Sequence, residues 1–203
     1  MPVYLYLDGE YQLNTLRVSN ITKDTSLESE TSSGLVIEFA DIISLQYFNS
    51  TKTSNGGYRD SFIRNYVNTT VYNSIPNDIK SLMIDTKVVS SHFTDTTDNY
   101  ITTDKLYLLA AHELWYGTND SGVDTSSSSV RQLDYYNINN VLLTNITNDE
   151  LRKKYNGEYI TWITRTVRYD FQGSLYLPSH KGEWCYGWND SVKGVSPAFR
   201  ISG

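Results

Sequence analysis

A chain of 203 residues and 23.2 kDa suits one domain with a single sizeable core, and its lone cysteine, Cys185, excludes both an intrachain disulfide and a cysteine-built zinc site. Seventeen Lys and Arg stand against 23 Asp and Glu for a formal charge of −6, and the scattered cations form no phosphate-tracking stripe, so nucleic acid is not an expected partner. The hydrophobic share is a modest 39%, but 17 Tyr, 6 Phe and 4 Trp supply amphipathic rings suited to cores and contact surfaces alike.

The opening MPVYLYLDGEYQLNTL lacks a charged start and a cleavage site, and no run of about 18 apolar residues follows, so neither signal-led export nor membrane insertion is expected. From residue 3 to 48 the short apolar pieces VYLYL, NTLRVS and GLVIEFADIISLQYF predict strands around a Ser/Thr/Glu-rich loop at 22–33. After the turn Asn55-Gly56-Gly57, Phe62, Ile63, Tyr66 and Val67 recur at helical spacing, with Asp60 near the start, which predicts a helix around Ser61 to Tyr72. Past Pro76, the spacing of Ile79, Leu82 and Met83 predicts a second, short helix.

TKVVSSHF then reads as a strand, and TTDKLYLLAAHELWYG as a strand to about Leu109 followed by a helical turn. The Ser-rich span 119–129 is a loop by composition, and Val130, Leu133 and Tyr136 form one face of a short helix. YITWITRTVRYDF, GSLYLP and GVSPAFRIS read as three strands, the last filling the core with Val195, Ala198 or Phe199, and Ile201. Between the last two, KGEWCYGWNDSV reads as a glycine-broken aromatic loop. Strands, then helices, then strands predict an α+β fold with mixed or antiparallel sheets and short helices. With no repeat and no linker, residues 1–203 form one domain, in which 1–34 is a β-rich extension or small attachment segment.

No enzyme motif survives inspection. His92, His112 and His180 lie far apart, and HELWYG lacks the second histidine of a zincin. FQGSLY lacks the flanking glycines of a nucleophile elbow, and SNGGY lacks the lysine and hydroxyl of a phosphate loop. Asp95, Asp98, Asp104, Asp120 and Asp124 follow no calcium-loop pattern and read as solvated loop charge. No catalytic residue, metal ligand or cofactor is therefore assigned.

GGYRDSFIRNYVNTTVYNSIPNDIKSLMIDTKVVS, TTDKLYLLAAHELWYG, VRQLDYY and GVSPAFRI occur in an order that resembles an uncharacterised family of C-type-lectin-like domains encoded by gut Firmicutes and their phages. The resemblance covers roughly residues 35 to 203. Members carry Trp-Trp-Leu-Arg-Ser where this chain has TWITRT, which keeps Trp162 and Arg165 and places Ile163 at the second tryptophan. The wider fold is shared with formylglycine-generating enzymes and with variable ligand-binding proteins of diversity-generating retroelements. The enzyme branch holds copper with a cysteine pair, which Cys185 alone cannot reproduce.

The resemblance implies a C-type-lectin-like domain that is not an enzyme: a structural or binding module of a phage virion, of tail or fibre type. Its partner is expected to be a host surface receptor, glycan or protein, or a neighbouring virion protein, with the chain oligomeric within the assembly. A bacterial cell-surface adhesion domain is the alternative, and a formylglycine-generating-type enzyme a remote one. Tyr169, Tyr176, Trp184, Tyr186, Trp188 and Asn189 are expected to form one exposed binding patch, since Tyr and Trp give large contact area at low entropic cost and Asn adds adaptable hydrogen bonds. The same rings could instead lie over the core as a lid. Trp162, Arg165 and Phe199 are expected to be structural, with Arg165 partly buried and paired to a carboxylate or to loop carbonyls.

Overall fold

A computed structural model of the chain describes residues 1–21, 35–93, 95–115, 132–145 and 147–202. The chain opens with a hairpin of β1 (Pro2–Leu7) and β2 (Glu10–Asn20), closed by Asp8 and Gly9 at φ 55° and 86°. Left-handed backbone at both turn positions matches the twist of the flanking strands, which is why an Asp-Gly pair sits there. Val3, Leu5 and Leu7 alternate inward while Tyr4 and Tyr6 face out.

β2 continues into antiparallel pairing with β3 (Val36–Phe39), with a register shift between Val18 and Asn20. β3 pairs with β13 (Pro197–Arg200), and β13 with β7 (Tyr107–Leu108), giving one five-stranded antiparallel sheet in the order β1-β2-β3-β13-β7. All four residues of β3 are buried, so both faces of the sheet are covered at its centre. The segment expected as an extension thus supplies β1 and β2, the edge strand on one side of the sheet and its neighbour.

The predicted helix begins at Phe62, one residue past its cap: Ser61 Oγ accepts the Arg64 N–H at 3.2 Å, so Ser61 rather than Asp60 closes the first turn. α1 (Phe62–Tyr66) runs through a wider π turn (Val67–Val71) into α2 (Tyr72–Ser74). The widened turn contains Asn68, whose amide donates to the Leu106 carbonyl at 2.8 Å and accepts the Leu106 N–H at 3.2 Å, tying the helix to the approach to β7. Ile63, Tyr66, Val67 and Val71 are buried, and α2 lies against β1. Extended backbone at Ile75, before Pro76, ends the helix. The second helix is α3 (Asn77–Lys80), and of its expected apolar face Met83 is buried while Leu82 is exposed.

β5 (Thr86–His92) confirms the strand read from TKVVSSHF, and its partner β6 (Asp95–Asp104) was not anticipated. The strand at Tyr107–Leu108 and the turn α4 (Ala111–Leu114) follow as expected, and α5 (Asp134–Ile138) buries Leu133 and Tyr136. Val130 and the loop at 119–129 lie outside the described residues, as does 22–33. β8 (Lys153–Tyr155) and β9 (Glu158–Ile160) form a hairpin around Asn156-Gly157, both at positive φ.

Two strand expectations and one loop expectation need correction. The run from Trp162 to Val167 is buried but irregular, held by single bridges of Trp162 to Gly194 and Val167 to Leu175. Its polar groups are satisfied one at a time instead of along a ladder. The terminal run divides at Ser196, so that β12 (Lys193–Val195) pairs with β4 (Ser44–Gln46) while β13 enters the main sheet. The aromatic stretch is a strand, β11 (Trp184–Trp188), paired with β10 (Ser174–Pro178).

The molecule is an α+β fold of small antiparallel sheets, with one contiguous apolar core from Val3 to Phe199. Among the described residues no helix is long and apolar enough to cross a membrane.

Candidate binding surface

Strand β11 reads Trp-Cys-Tyr-Gly-Trp, so period-two alternation puts Trp184, Tyr186 and Trp188 on one face and Cys185 and Gly187 on the other. The inner face is tight: a side chain at Gly187 would overlap Leu177 and Lys193. On the outer face Tyr186 lies opposite Tyr176 of β10, and its ring meets Trp184 edge-on at 4.8 Å and Tyr176 at 5.2 Å. Phe171 packs on Trp188 at 5.3 Å. The result is a row of two ring groups, Trp184 with Tyr186 and Tyr176, and Trp188 with Phe171, between which the Arg168 guanidinium lies over Tyr186 and near Phe171.

Two cations border the row. Lys52 Nζ stands 3.2 Å from the centroid of Trp188, and the Arg168 guanidinium 3.7 Å from that of Tyr186. Arg168 is held in place by two hydrogen bonds to Asp170, at 2.8 and 2.6 Å, and this contact raises the arginine's pKa and lowers the carboxyl's. Beneath the row, burial pushes the Cys185 thiol up, which makes it a poor nucleophile at neutral pH. Burial lowers Lys193, whose ammonium donates to the Trp188 carbonyl at 2.7 Å.

Both ends of the hairpin are pinned. At one end the Asn189 N–H donates to Gly173 O at 2.9 Å, the Asn189 carbonyl accepts the Asn49 N–H at 2.9 Å, and its amide donates to the Thr53 carbonyl. Gly173 has φ 77°, and a side chain there would overlap Lys52 Cγ and crowd the Lys52 backbone. At the other end Gly182, at φ 79°, lies so close to the Asn148 backbone that a Cβ could not be accommodated, and Asn148 Nδ2 donates to Gly182 O at 3.1 Å.

The residues expected in the patch differ in exposure. Tyr186 and Trp188 are 42% and 39% exposed and Trp184 is half-buried, as a contact surface requires. Tyr176, at 5% exposed, supports the row from below instead of facing solvent. Asn189 is fully buried because the turn after β11 needs its donors internally. Tyr169 is half-buried and makes no ring contact among the described residues. Lys52, Arg168 and Phe171 were missed. The alternation of Arg168 with Tyr169 and Phe171 in turn-rich sequence carried a signal, but Lys52 is brought in from a distant loop.

The expected structural residues sit in the core. Trp162 donates from Nε1 to Leu151 O at 2.8 Å, and Phe199 is 2% exposed. Ile163 is fully buried and donates its N–H to Gly194 O at 2.9 Å, so this is a core position. Arg165 is fully buried, beyond the partial burial expected. It donates to Glu113 at 2.5 Å, Val89 O at 2.7 Å and Leu108 O at 2.9 Å.

A second buried ionic centre escaped the sequence reading. Glu38 accepts from Arg17 at 2.7 Å, from Lys153 at 2.9 Å and from the Tyr136 hydroxyl at 3.0 Å. Burial alone would raise the Glu38 carboxyl, but Lys153 and Arg17 hold it below its ordinary value. Burial brings Lys153 down to about 8 in spite of Glu38. Asp104, expected as solvated loop charge, is buried at the end of β6 and takes Arg64 at 2.7 Å and the Thr102 hydroxyl at 2.6 Å. No cluster of three or more metal-binding side chains occurs among the described residues.

An α+β domain with a pinned hairpin that carries edge-on and tilted rings is the class these features define. The chain belongs to the DUF6273 family, a domain of unknown function, whose profile matches residues 31–203. No curated protein and no solved structure matches it.

Proposed function

We propose that the chain is a non-enzymatic, C-type-lectin-like module of a phage virion, of tail or fibre type, that holds a host receptor or neighbouring virion subunit on the outer face of β11. The observation that carries this reading is the row Trp184, Tyr186 and Trp188, joined by Phe171 at 48% exposed, on a hairpin fixed at both ends. Water-facing rings gathered on one face are costly for a surface with no partner, and rigid rings lose little entropy on binding. The bordering Lys52 and Arg168 suit a partner that offers CH-rich faces beside hydroxyl or carboxylate oxygens, as glycans do.

The test is binding of the labelled chain to intact cells of a panel of gut Firmicutes, with Tyr186→Ser/Trp188→Ser as the variant. Loss of binding with an unchanged melting temperature supports the reading. Retained binding moves the contact surface elsewhere. A lowered melting temperature with binding retained assigns the rings to the fold.

A further inference from the structure

We infer that the free edge of β1 is a pairing surface for a second copy of this chain, joining two main sheets into one ten-stranded sheet through an antiparallel β1–β1 seam. The inference does not depend on the hairpin reading. It rests on the geometry and charge of the first hairpin.

β1 is the outermost strand of the main sheet, and among the described residues only β2 pairs with it. Leu16 donates its N–H to the Met1 carbonyl at 2.7 Å, which fixes the phase of the ladder. Residues directly opposite alternate between bonded and non-bonded pairs, so Val3, Leu5 and Leu7 turn their backbone groups toward β2. Pro2, Tyr4 and Tyr6 turn theirs outward, and the N–H and C=O of Tyr4 and Tyr6 point along the open edge.

Open edges are normally protected by charge, bulges or a cover. The β1 edge has little of this: its pairing with β2 shows no bulge, and no residue from Pro2 to Leu7 is charged. For a chain of formal charge −6, a neutral strand is where a second copy approaches with least repulsion. Pro2 is the single protective feature, and it helps to choose the register. Pairing about a two-fold axis through Leu5 sets Tyr4 opposite Tyr6 of the other copy twice, which uses every outward N–H and C=O of the two tyrosines. Shifting the axis to Tyr4 would set Tyr6 against Pro2, which has no N–H to give.

The side chains agree with that register. Tyr4, Tyr6, Tyr11 and Leu13 share the outer face of the hairpin and are 61%, 55%, 78% and 61% exposed, with Tyr6 and Tyr11 rings 5.0 Å apart. Across the seam, Tyr4 of one copy stands beside Tyr6 of the other, so two apolar faces become one. This hairpin precedes residues 31–203, the stretch matched by the family profile, so the edge belongs to an element outside that match. One strand-to-strand seam is small for an interface, and the dimer is therefore concentration-dependent.

The experiment is light scattering of the full chain over a concentration series, together with amide hydrogen exchange resolved at β1. A dimer is expected in which the Tyr4 and Tyr6 amides become protected as concentration rises, while those of Val3 and Leu5 are protected throughout. Tyr4→Lys/Tyr6→Lys should give a monomer with unchanged circular dichroism, because like charges meet across the seam. A dimer that survives this variant places the interface elsewhere and overturns the inference. So does a monomer at every concentration, and so do β1 amides protected only when a different protein is added, which would assign the edge to a foreign strand.

Discussion

Arg165 and Glu113 form an ion pair at 2.5 Å with both side chains fully buried, and Glu113 Oε2 also accepts the Ala110 N–H at 2.7 Å. The pair joins the irregular segment after β9 to the first turn of α4. Removing one member leaves a charge without a partner or water, at a cost of about 3–5 kcal/mol. Arg165→Met is expected to lose that much in urea unfolding. Arg165→Met/Glu113→Leu should recover much of it, because both charges are then gone.

Glu38 gives a pH-dependent version of the same argument. Its folded pKa lies below the ordinary value of 4.5, so the stability it contributes is present above that pH and is lost as pH falls through the folded pKa. Glu38→Gln should flatten this acid limb and cost about 3 kcal/mol at neutral pH. In the variant Lys153 faces Arg17 without its counter-charge, so its folded pKa falls further below the unfolded value. The unfolded chain then binds the extra proton over a wider range, and stability should rise with pH across neutrality. Thermal melts from pH 3 to 9 check both limbs.

The sequence allowed some of this to be read and concealed the rest for physical reasons. Helical spacing at Ile63, Tyr66 and Val67 and the apolar run at Leu106 are short-range signals, and both elements are present. β6 went unseen because the only apolar residues of DTTDNYITTD, Tyr100 and Ile101, are adjacent and show no alternation. The aromatic stretch was read as a loop because Gly187 looked like a break, when the glycine is there for want of room beside Leu177. Glu38 inside VIEF was a visible anomaly, since a carboxylate in an apolar run must be paired when buried. Its partners Arg17, Tyr136 and Lys153 lie up to 115 residues away, and no local pattern could name them.

Truncation after Gly194 removes Val195 and all of β13, the strand between β3 and β7. β7 loses its strand partner in the sheet, β3 keeps only β2, and the buried Val195, Ala198 and Phe199 are lost from the core. Scanning calorimetry should show no cooperative endotherm. A normal melt would mean that the sheet does not need the strand that joins β3 to β7.

Gly182→Ala tests whether the hairpin is held rigid from its far end. The new methyl meets the Asn148 backbone at a positive φ, where a side chain is strained even in open space. A loss of about 1–3 kcal/mol is expected. Trp184 fluorescence should shift as the turn lifts, and cell binding should weaken although no ring has been changed.

The place of β13 also bears on how the chain acquires its structure during synthesis. Of the five strands of the main sheet it is the last to leave the ribosome, yet it sits between two that emerged long before. Until it arrives, β3 and β7 have no common neighbour, and the hairpin of β1 and β2 can extend only as far as β3. Vectorial folding therefore stalls with one unpaired edge on each side of the gap. Closure is a single late step of high contact order, and such steps are slow and leave exposed edges open to association with other chains.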